Sequence, residues 1–296
     1  MENSSQKPLT IESIAIFLIL ALIWGSSFIM MKQGLKVFSA GQVGALRIAT
    51  AFVVFLPFAL RDFDKIKPSK WKFLFLAGAC GNLLPAFLFA AAQTQLNSSL
   101  VGILNGLTPI FAFLVGIIFF RQALRANQVF GVMLGFVGSV VIGFLRNDGN
   151  WGEINYFALL VVLATCLYGI NVNLIRTFLA DLPPLTISAG SLFAVGFFAL
   201  AYLLSGDFLE IVRTHPQAPN ALLYIALLGA AGSAFALVLF NRLVQTTSAV
   251  FASSVTYLIP VVAISWGVFD HEPFTLYHVI GVSLIIGGVY SLNKRR

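Results

Sequence analysis

The stretch from Leu96 to Phe144 carries only two charges, Arg121 and Arg125, and it returns near the C-terminus from Thr247 to Leu292. Displaced by 151 positions, Pro109 falls on Pro260, Asn105 on Thr256, Gly102 on Ser253 and Gly116 on Gly267. Displaced by 150, with one deletion in the turn, Gly131 falls on Gly281 and Gly138 on Gly288. Each copy is a proline-centred apolar helix followed by a glycine-rich one. The chain is therefore read as a tandem repeat whose two copies face each other across a shared site.

Composition says what surrounds that repeat. Of the 296 residues 59% are hydrophobic and 10% charged, and the mean hydropathy is +0.93. Water-soluble domains carry about 25% charged residues, so this chain has too few to cover a solvated surface. Its apolar residues come in continuous blocks of the roughly 20 that cross a bilayer as a helix, without the alternation of a transmembrane barrel. The predicted class is an all-α polytopic membrane protein, with the lipid bilayer as its first partner. Ten spans are expected, at 12–32, 39–60, 71–92, 97–119, 127–145, 154–176, 183–204, 221–241, 248–269 and 275–292. Charged or proline-bearing turns such as 61–68 and 181–184 separate them.

Topology follows from the placement of Lys and Arg. With the N-terminus inside, thirteen fall on inner segments (Lys7, Arg61, Lys65, Lys67, Lys70, Lys72, Arg121, Arg125, Arg176, Arg242, Lys294, Arg295, Arg296) and four outside (Lys32, Lys36, Arg146, Arg213). This bias puts both termini in the cytoplasm and the protein in the cytoplasmic membrane. It also explains the net charge of +7 without a nucleic-acid partner. The first apolar run ends in Lys32 and lacks a small-residue cleavage site, so it is read as a retained span. Cys80 and Cys166 lie within apolar segments and read as small buried hydrophobes; no disulfide, metal or cofactor site is implied.

Five spans per copy is an odd number, so the second copy enters the membrane upside down. Residues 1–146 and 151–296 are expected to be inverted repeats, with a binding site near the midplane between them. The rest of each half agrees: Trp24-Gly25 aligns with Tyr168-Gly169 and Lys32 with Arg176 at an offset of 144, and Gly78, Gly81 and Phe89 align with Gly229, Gly232 and Phe240 at 151.

These residues resemble the drug/metabolite transporter superfamily, in its ten-helix EamA-like branch. Trp24-Gly25-Ser26-Ser27-Phe28 with Lys32 is similar to the family's first-helix signature. Leu107-Thr108-Pro109 and Leu258-Ile259-Pro260 look like its repeat-centre prolines, and Asp270-His271-Glu272-Pro273 like the acidic turn that follows; the first copy has Arg121-Gln122 where that acid stands. The resemblance implies a secondary transporter, one that exports an amino acid or related metabolite by alternating access, around a cavity made by spans 1, 3, 4, 6, 8 and 9.

Lipid gives a polar side chain no partner, so such residues mark the inward face of a span. Substrate-binding candidates on that ground are Trp24, Ser27, Arg47, Asn82, Gln93, Asn105, Tyr168, Asn171, Ser253, Thr256 and Tyr257. Small residues along the same stripes (Ser98, Gly102, Ser253) also serve as helix–helix glue. Pro109 and Pro260 are hinge candidates, each freeing the carbonyl four residues upstream, at Asn105 and Thr256. That carbonyl either meets the solute or is satisfied by a neighbouring Ser or Thr. Lys32 and Arg176 end their helices, where the dipole favours a cation. Arg47, two turns into its span, either clamps a carboxylate or snorkels to the outer interface.

No catalytic motif is present, whether GxSxG, HExxH or Walker loop. The expected function is therefore transport of a small-molecule solute without an ATP motor, with the oligomeric state left open. A hydrophobic-drug exporter would want an acid in the cavity, and an embedded enzyme or lipid-handling protein an ionisable cluster at one face. All eleven acids (Glu2, Glu12, Asp62, Asp64, Asp148, Glu153, Asp181, Asp207, Glu210, Asp270 and Glu272) are near span ends or in turns. With none mid-span, facilitated diffusion or exchange is expected rather than proton coupling.

Overall fold

The computed structural model describes residues 10–96, 98–123, 126–146, 156–262 and 276–293. Among these every regular element is helical. The sequence-derived features at Lys7, Arg125, Gly267, 147–150, 270–273 and 294–296 lie outside them. Seven helices are long and apolar enough to cross a membrane: Ile11–Gly34, Ala40–Lys65, Pro68–Ala92, Leu100–Phe120, Phe157–Phe178, Pro184–Leu204 and Ala218–Thr246. Three shorter apolar helices, Ala126–Val141, Ala249–Val262 and Val279–Leu292, accompany them. Large apolar side chains point outward along the bundle, among them Phe119, Leu159 and Ile286, as expected where hydrocarbon is the solvent. The protein is a multi-pass membrane protein.

Local chemistry sets the ends. Helix α1 (Ile11–Gly34) begins at Thr10, whose Oγ1 accepts from the Ser13 N–H at 3.1 Å. Helix α2 (Ala40–Asp62) begins with a capping box: the Gln42 N–H donates to Ser39 Oγ and the Ser39 N–H to Gln42 Oε1. Both satisfy amides the first turn leaves without helical partners. The other end of the Gln42 amide donates to Asp207 at 2.7 Å, just past α9 (Pro184–Leu204). At the opposite end of the pair, Thr186 of α9 donates to Asp62 at 3.3 Å. The antiparallel helices α2 and α9 are thus clasped at both ends.

Two of the expected spans contain a π-helical segment. Span 3 runs as α3 (Pro68–Gly78), a π-helical segment Ala79–Leu83, and α4 (Leu84–Ala92). Span 8, after the short α10 (Phe208–Thr214), runs as α11 (Ala218–Leu227), a π segment Leu228–Phe235, and α12 (Ala236–Thr246). The two π segments stand at positions aligned by the offset of 151. Such wide turns shift the ladder by one bond and recur at functional sites.

Span 4 breaks in two rather than bending at its proline. Helix α5 (Ser98–Asn105) ends, Gly106 and Leu107 turn, and α6 (Thr108–Phe120) starts with Pro109 in its first turn, where its missing N–H costs nothing. The Asn105 carbonyl accepts from the Thr108 hydroxyl at 2.8 Å. In the other copy α13 (Ala249–Ser253) tightens into a 3₁₀ turn at Ser254–Leu258, and the Thr256 carbonyl accepts from the Ile259 N–H. Each of these two carbonyls thus takes one hydrogen bond within the fold.

The glycine-rich helices α7 (Ala126–Arg146) and α14 (Leu276–Asn293) pack backbone to backbone. A Cβ on Gly131 would stand 2.7 Å from the Gly288 carbonyl oxygen, and one on Gly138 2.7 Å from that of Gly281. Gly131 aligns with Gly281 and Gly138 with Gly288, so each glycine meets the partner of the other.

Candidate functional site

Helix α8 (Phe157–Phe178) packs against α4 and α6, and α1 against α12, leaving a cavity of about 90 Å³ between the two sets. Its wall takes Trp24, Ser27, Phe28 and Met31 from α1, Arg47 from α2, and Gly81, Asn82 and Phe89 from the first π segment and α4. Asn105 and Thr108 come from the span 4 break, and Tyr168 and Asn171 from α8. Gly232, Ser233, Leu237 and Phe240 come from the second π segment and α12, and Ser253, Thr256 and Ile259 from the 249–262 stretch. The spans named from the resemblance all contribute, and span 2 joins them through Arg47.

Of the residues singled out from the sequence, Trp24, Ser27, Arg47, Asn82, Asn105, Tyr168, Asn171, Ser253 and Thr256 meet here. Two do not. Tyr257 is fully buried against α7, where its hydroxyl donates to the Val132 carbonyl at 2.9 Å. Gln93 ends α4 and donates through Nε2 to Ser98 Oγ at 3.2 Å, away from the cavity. Of the proposed hinges, Pro109 follows the helix break and Pro260 the 3₁₀ turn.

Arg47 stands on the cavity wall, where its Nε–H donates to the Ser233 hydroxyl at 2.7 Å; Tyr168 lines the same cavity. Among the described residues the guanidinium forms no ion pair; the four ion pairs found are Arg61–Asp62, Lys65–Asp62, Lys70–Asp181 and Arg242–Glu12. No described carboxylate lines the cavity. A cation in a largely apolar chamber without an anion is costly, and its two terminal nitrogens form a planar fork suited to a carboxylate.

Two aromatic ring pairs line the same cavity. Trp24 meets Phe240 with centroids 5.3 Å apart, and Tyr168 stacks on Phe89 at 5.8 Å. Trp24 aligns with Tyr168 and Phe89 with Phe240, so the two ring pairs are counterparts across the repeat. The Trp24 indole also donates to the Gly232 carbonyl at 3.0 Å, within the second π segment. Ser233, the partner of Arg47, escaped the sequence reading. A signal for it existed: the offset that aligns Gly81 with Gly232 places Asn82 on Ser233.

Polar ties gather at the end where α1 begins. Arg242 pairs with Glu12, and Arg176 donates to the Thr247 carbonyl. Gln122 donates to Asn173 at 2.8 Å, Gln245 to the Leu182 carbonyl at 2.8 Å, and Lys70 to both Asp181 and the Phe178 carbonyl at 2.7 Å. At the other end Lys32, the counterpart of Arg176, is exposed. Outside the membrane-spanning segments, Asp181 has its carboxyl held below the usual carboxylate range, chiefly by the hydrogen bond from Lys70.

Known proteins are similar along nearly the whole chain. An uncharacterized transporter of Archaeoglobus fulgidus is 25% identical over 92% of this chain and 95% of its own. The S-adenosylmethionine/S-adenosylhomocysteine transporter of Chlamydia muridarum is 25% identical over 88% and 85%, and the uncharacterized inner membrane transporter YedA of Escherichia coli K12 is 23% identical over 84% and 79%. A solved crystal structure superposes with a TM-score of 0.71 at 17% identity, over 94% of this chain and 95% of that one, and so shares the fold. Residues 12–144 and 155–294 each match the EamA-like transporter family, and the chain belongs to that family.

Proposed function

We propose that the protein is a secondary transporter that carries a small polar metabolite bearing a carboxylate, most simply an amino acid or close relative, out across the cytoplasmic membrane. The observation that carries this reading is Arg47: a cation on the cavity wall, fixed by one serine, with no described acid opposite it. A solute carboxylate supplies the missing charge and the acceptors for the fork. The chlamydial relatives are named for S-adenosylmethionine and S-adenosylhomocysteine, which also carry carboxylates.

In this reading the three shorter apolar helices cross the membrane with the seven long ones, making ten spans in two inverted repeats. Reciprocal glycine contacts between α7 and α14, the matched ring pairs and the aligned π segments support a two-fold axis in the membrane plane. Alternating access then rocks the repeats about the cavity, and the ties around Arg176 and Arg242 hold the cytoplasmic end shut in this conformation.

The test is thermal unfolding of the purified protein against amino acids, other carboxylates, neutral sugars and organic cations, since a ligand of the folded state raises its stability. Stabilisation by carboxylates, lost in Arg47→Gln, is the expected result. Stabilisation by cations alone, unchanged in Arg47→Gln, overturns the reading.

A further inference from the structure

A cavity built only to hold a carboxylate leaves Asn171 unexplained. The residue is 4% exposed and sits on the cavity wall, yet its Oδ1 accepts no hydrogen bond among the described residues. Buried polar groups are nearly always paired, and an unpaired one asks for an explanation. Its neighbour Asn173 shows that α8 satisfies an amide where the fold needs one: Asn173 accepts from Gln122 and donates to the carbonyls of Ala112 and Gly169. Two other buried amide oxygens lack donors, in Asn241 and Gln93, but both lie off the cavity and both amides are anchored through nitrogen, to Ser188 and Ser98. Asn171 has neither anchor.

Packing holds this amide in place. Gly81 of the first π segment lies directly against it, and a Cβ there would collide with the Asn171 side chain. Asn82, also buried and on the wall, follows Gly81 in the same segment. Arg47 and Asn171 line the same cavity, so a solute with its carboxylate on Arg47 meets Asn171 within one chamber.

We infer that Asn171 is a specificity-determining residue: its side-chain oxygen accepts a hydrogen bond from an N–H or O–H donor on the solute whose carboxylate is held at Arg47. This rests on the carboxylate reading of Arg47. The transporter then prefers an amino carboxylate to the deaminated acid of the same carbon skeleton, because the latter leaves the Asn171 oxygen unpaired. A lost hydrogen bond to a charged donor weakens binding by about tenfold or more.

The experiment compares paired probes by thermal shift and calorimetry on the purified full chain: L-leucine with 4-methylpentanoate, and L-phenylalanine with 3-phenylpropanoate. The amino member of at least one pair is expected to bind about tenfold tighter or better. Asn171→Leu brings that ratio near unity, whereas the near-isosteric Asn171→Asp, which keeps the acceptor, preserves the preference. Equal binding of both members to the unaltered protein, or a ratio that survives Asn171→Leu, overturns the inference while the carboxylate reading stands. If no carboxylate binds at all, both fall. Should Asn171→Leu not fold, Asn171→Ala, which also removes the acceptor, gives the same comparison.

Discussion

Arg47 and Ser233 stand 186 positions apart in sequence and meet through a 2.7 Å hydrogen bond from Nε to Oγ. That contact turns a cation in the membrane from a liability into an oriented fork. Arg47→Lys keeps the charge but loses the planar pair of donors, and Arg47→Gln loses both. Removing a hydrogen bond to a charged group costs about 1.5–3 kcal/mol, so Arg47→Gln is expected to weaken binding of a carboxylate solute about 10- to 100-fold, with Arg47→Lys between. Titration calorimetry of the stabilising carboxylate measures it; equal affinities in all three proteins refute the assignment.

Asn105 and Thr256 line the cavity from opposite halves of the chain, whereas Val255 is fully buried and does not. Cysteines placed at 105 and 256 should react with a small water-soluble thiol reagent and be protected by solute, while a cysteine at 255 stays inert. Cys80 and Cys166 are free and half-buried, so the background is first removed by substituting both. The reverse pattern means the lining has been misassigned.

Gly131 and Gly102 should respond oppositely to alanine. At Gly131 the new methyl carbon stands 2.7 Å from the backbone oxygen of Gly288, and overpacking of this kind costs about 1–3 kcal/mol. At Gly102 the nearest atom is a methyl of Ile259 at 3.6 Å, an ordinary contact. There alanine gains up to about 1 kcal/mol of helix propensity. Melting temperatures in detergent decide it: Gly131→Ala falls, Gly102→Ala holds or rises.

The Lys70–Asp181 tie gives one face of the bundle a modest pH dependence. The folded Asp181 carboxyl titrates below its unfolded value of about 3.9. Its stabilisation is therefore full above that value and lost as pH falls through the lower, folded one. Because Asp181 is largely exposed, the contribution is at most about 1 kcal/mol. The unaltered protein should melt slightly above Asp181→Asn at pH 6, with the two converging as pH falls through the lowered range of that carboxyl. A gap that persists in acid rules this out.

With no described carboxylate on the cavity wall, proton and solute have no shared acid to compete for. In liposomes, an imposed pH gradient without a solute gradient should produce no uphill accumulation, and counterflow should proceed at equal pH on both sides. Accumulation that an uncoupler abolishes defeats this expectation.

The family, the membrane setting and much of the cavity lining were legible in the chain because lipid makes the signals categorical. Long apolar blocks must cross, polar residues within them must turn inward, and a costly charge such as Arg47 must have a use. The repeat offsets aligned Gly131 with Gly281 and Gly138 with Gly288, but that these helices cross glycine on glycine, and which glycine meets which, is settled only by the antiparallel packing.

Other features rest on tertiary structure alone. A helix that is apolar on every side has no periodicity to separate its lipid face from its inner face. Tyr257, one residue past Thr256, therefore looked as fit for the cavity as its neighbour, and only its packing against α7 sends the hydroxyl to Val132. The same holds where backbone bonding is redistributed. That the Asn105 carbonyl accepts from Thr108 depends on where α5 breaks. Whether Ser233 reaches Arg47 depends on the π turn that carries it, and no residue pattern along one strand of sequence encodes that meeting.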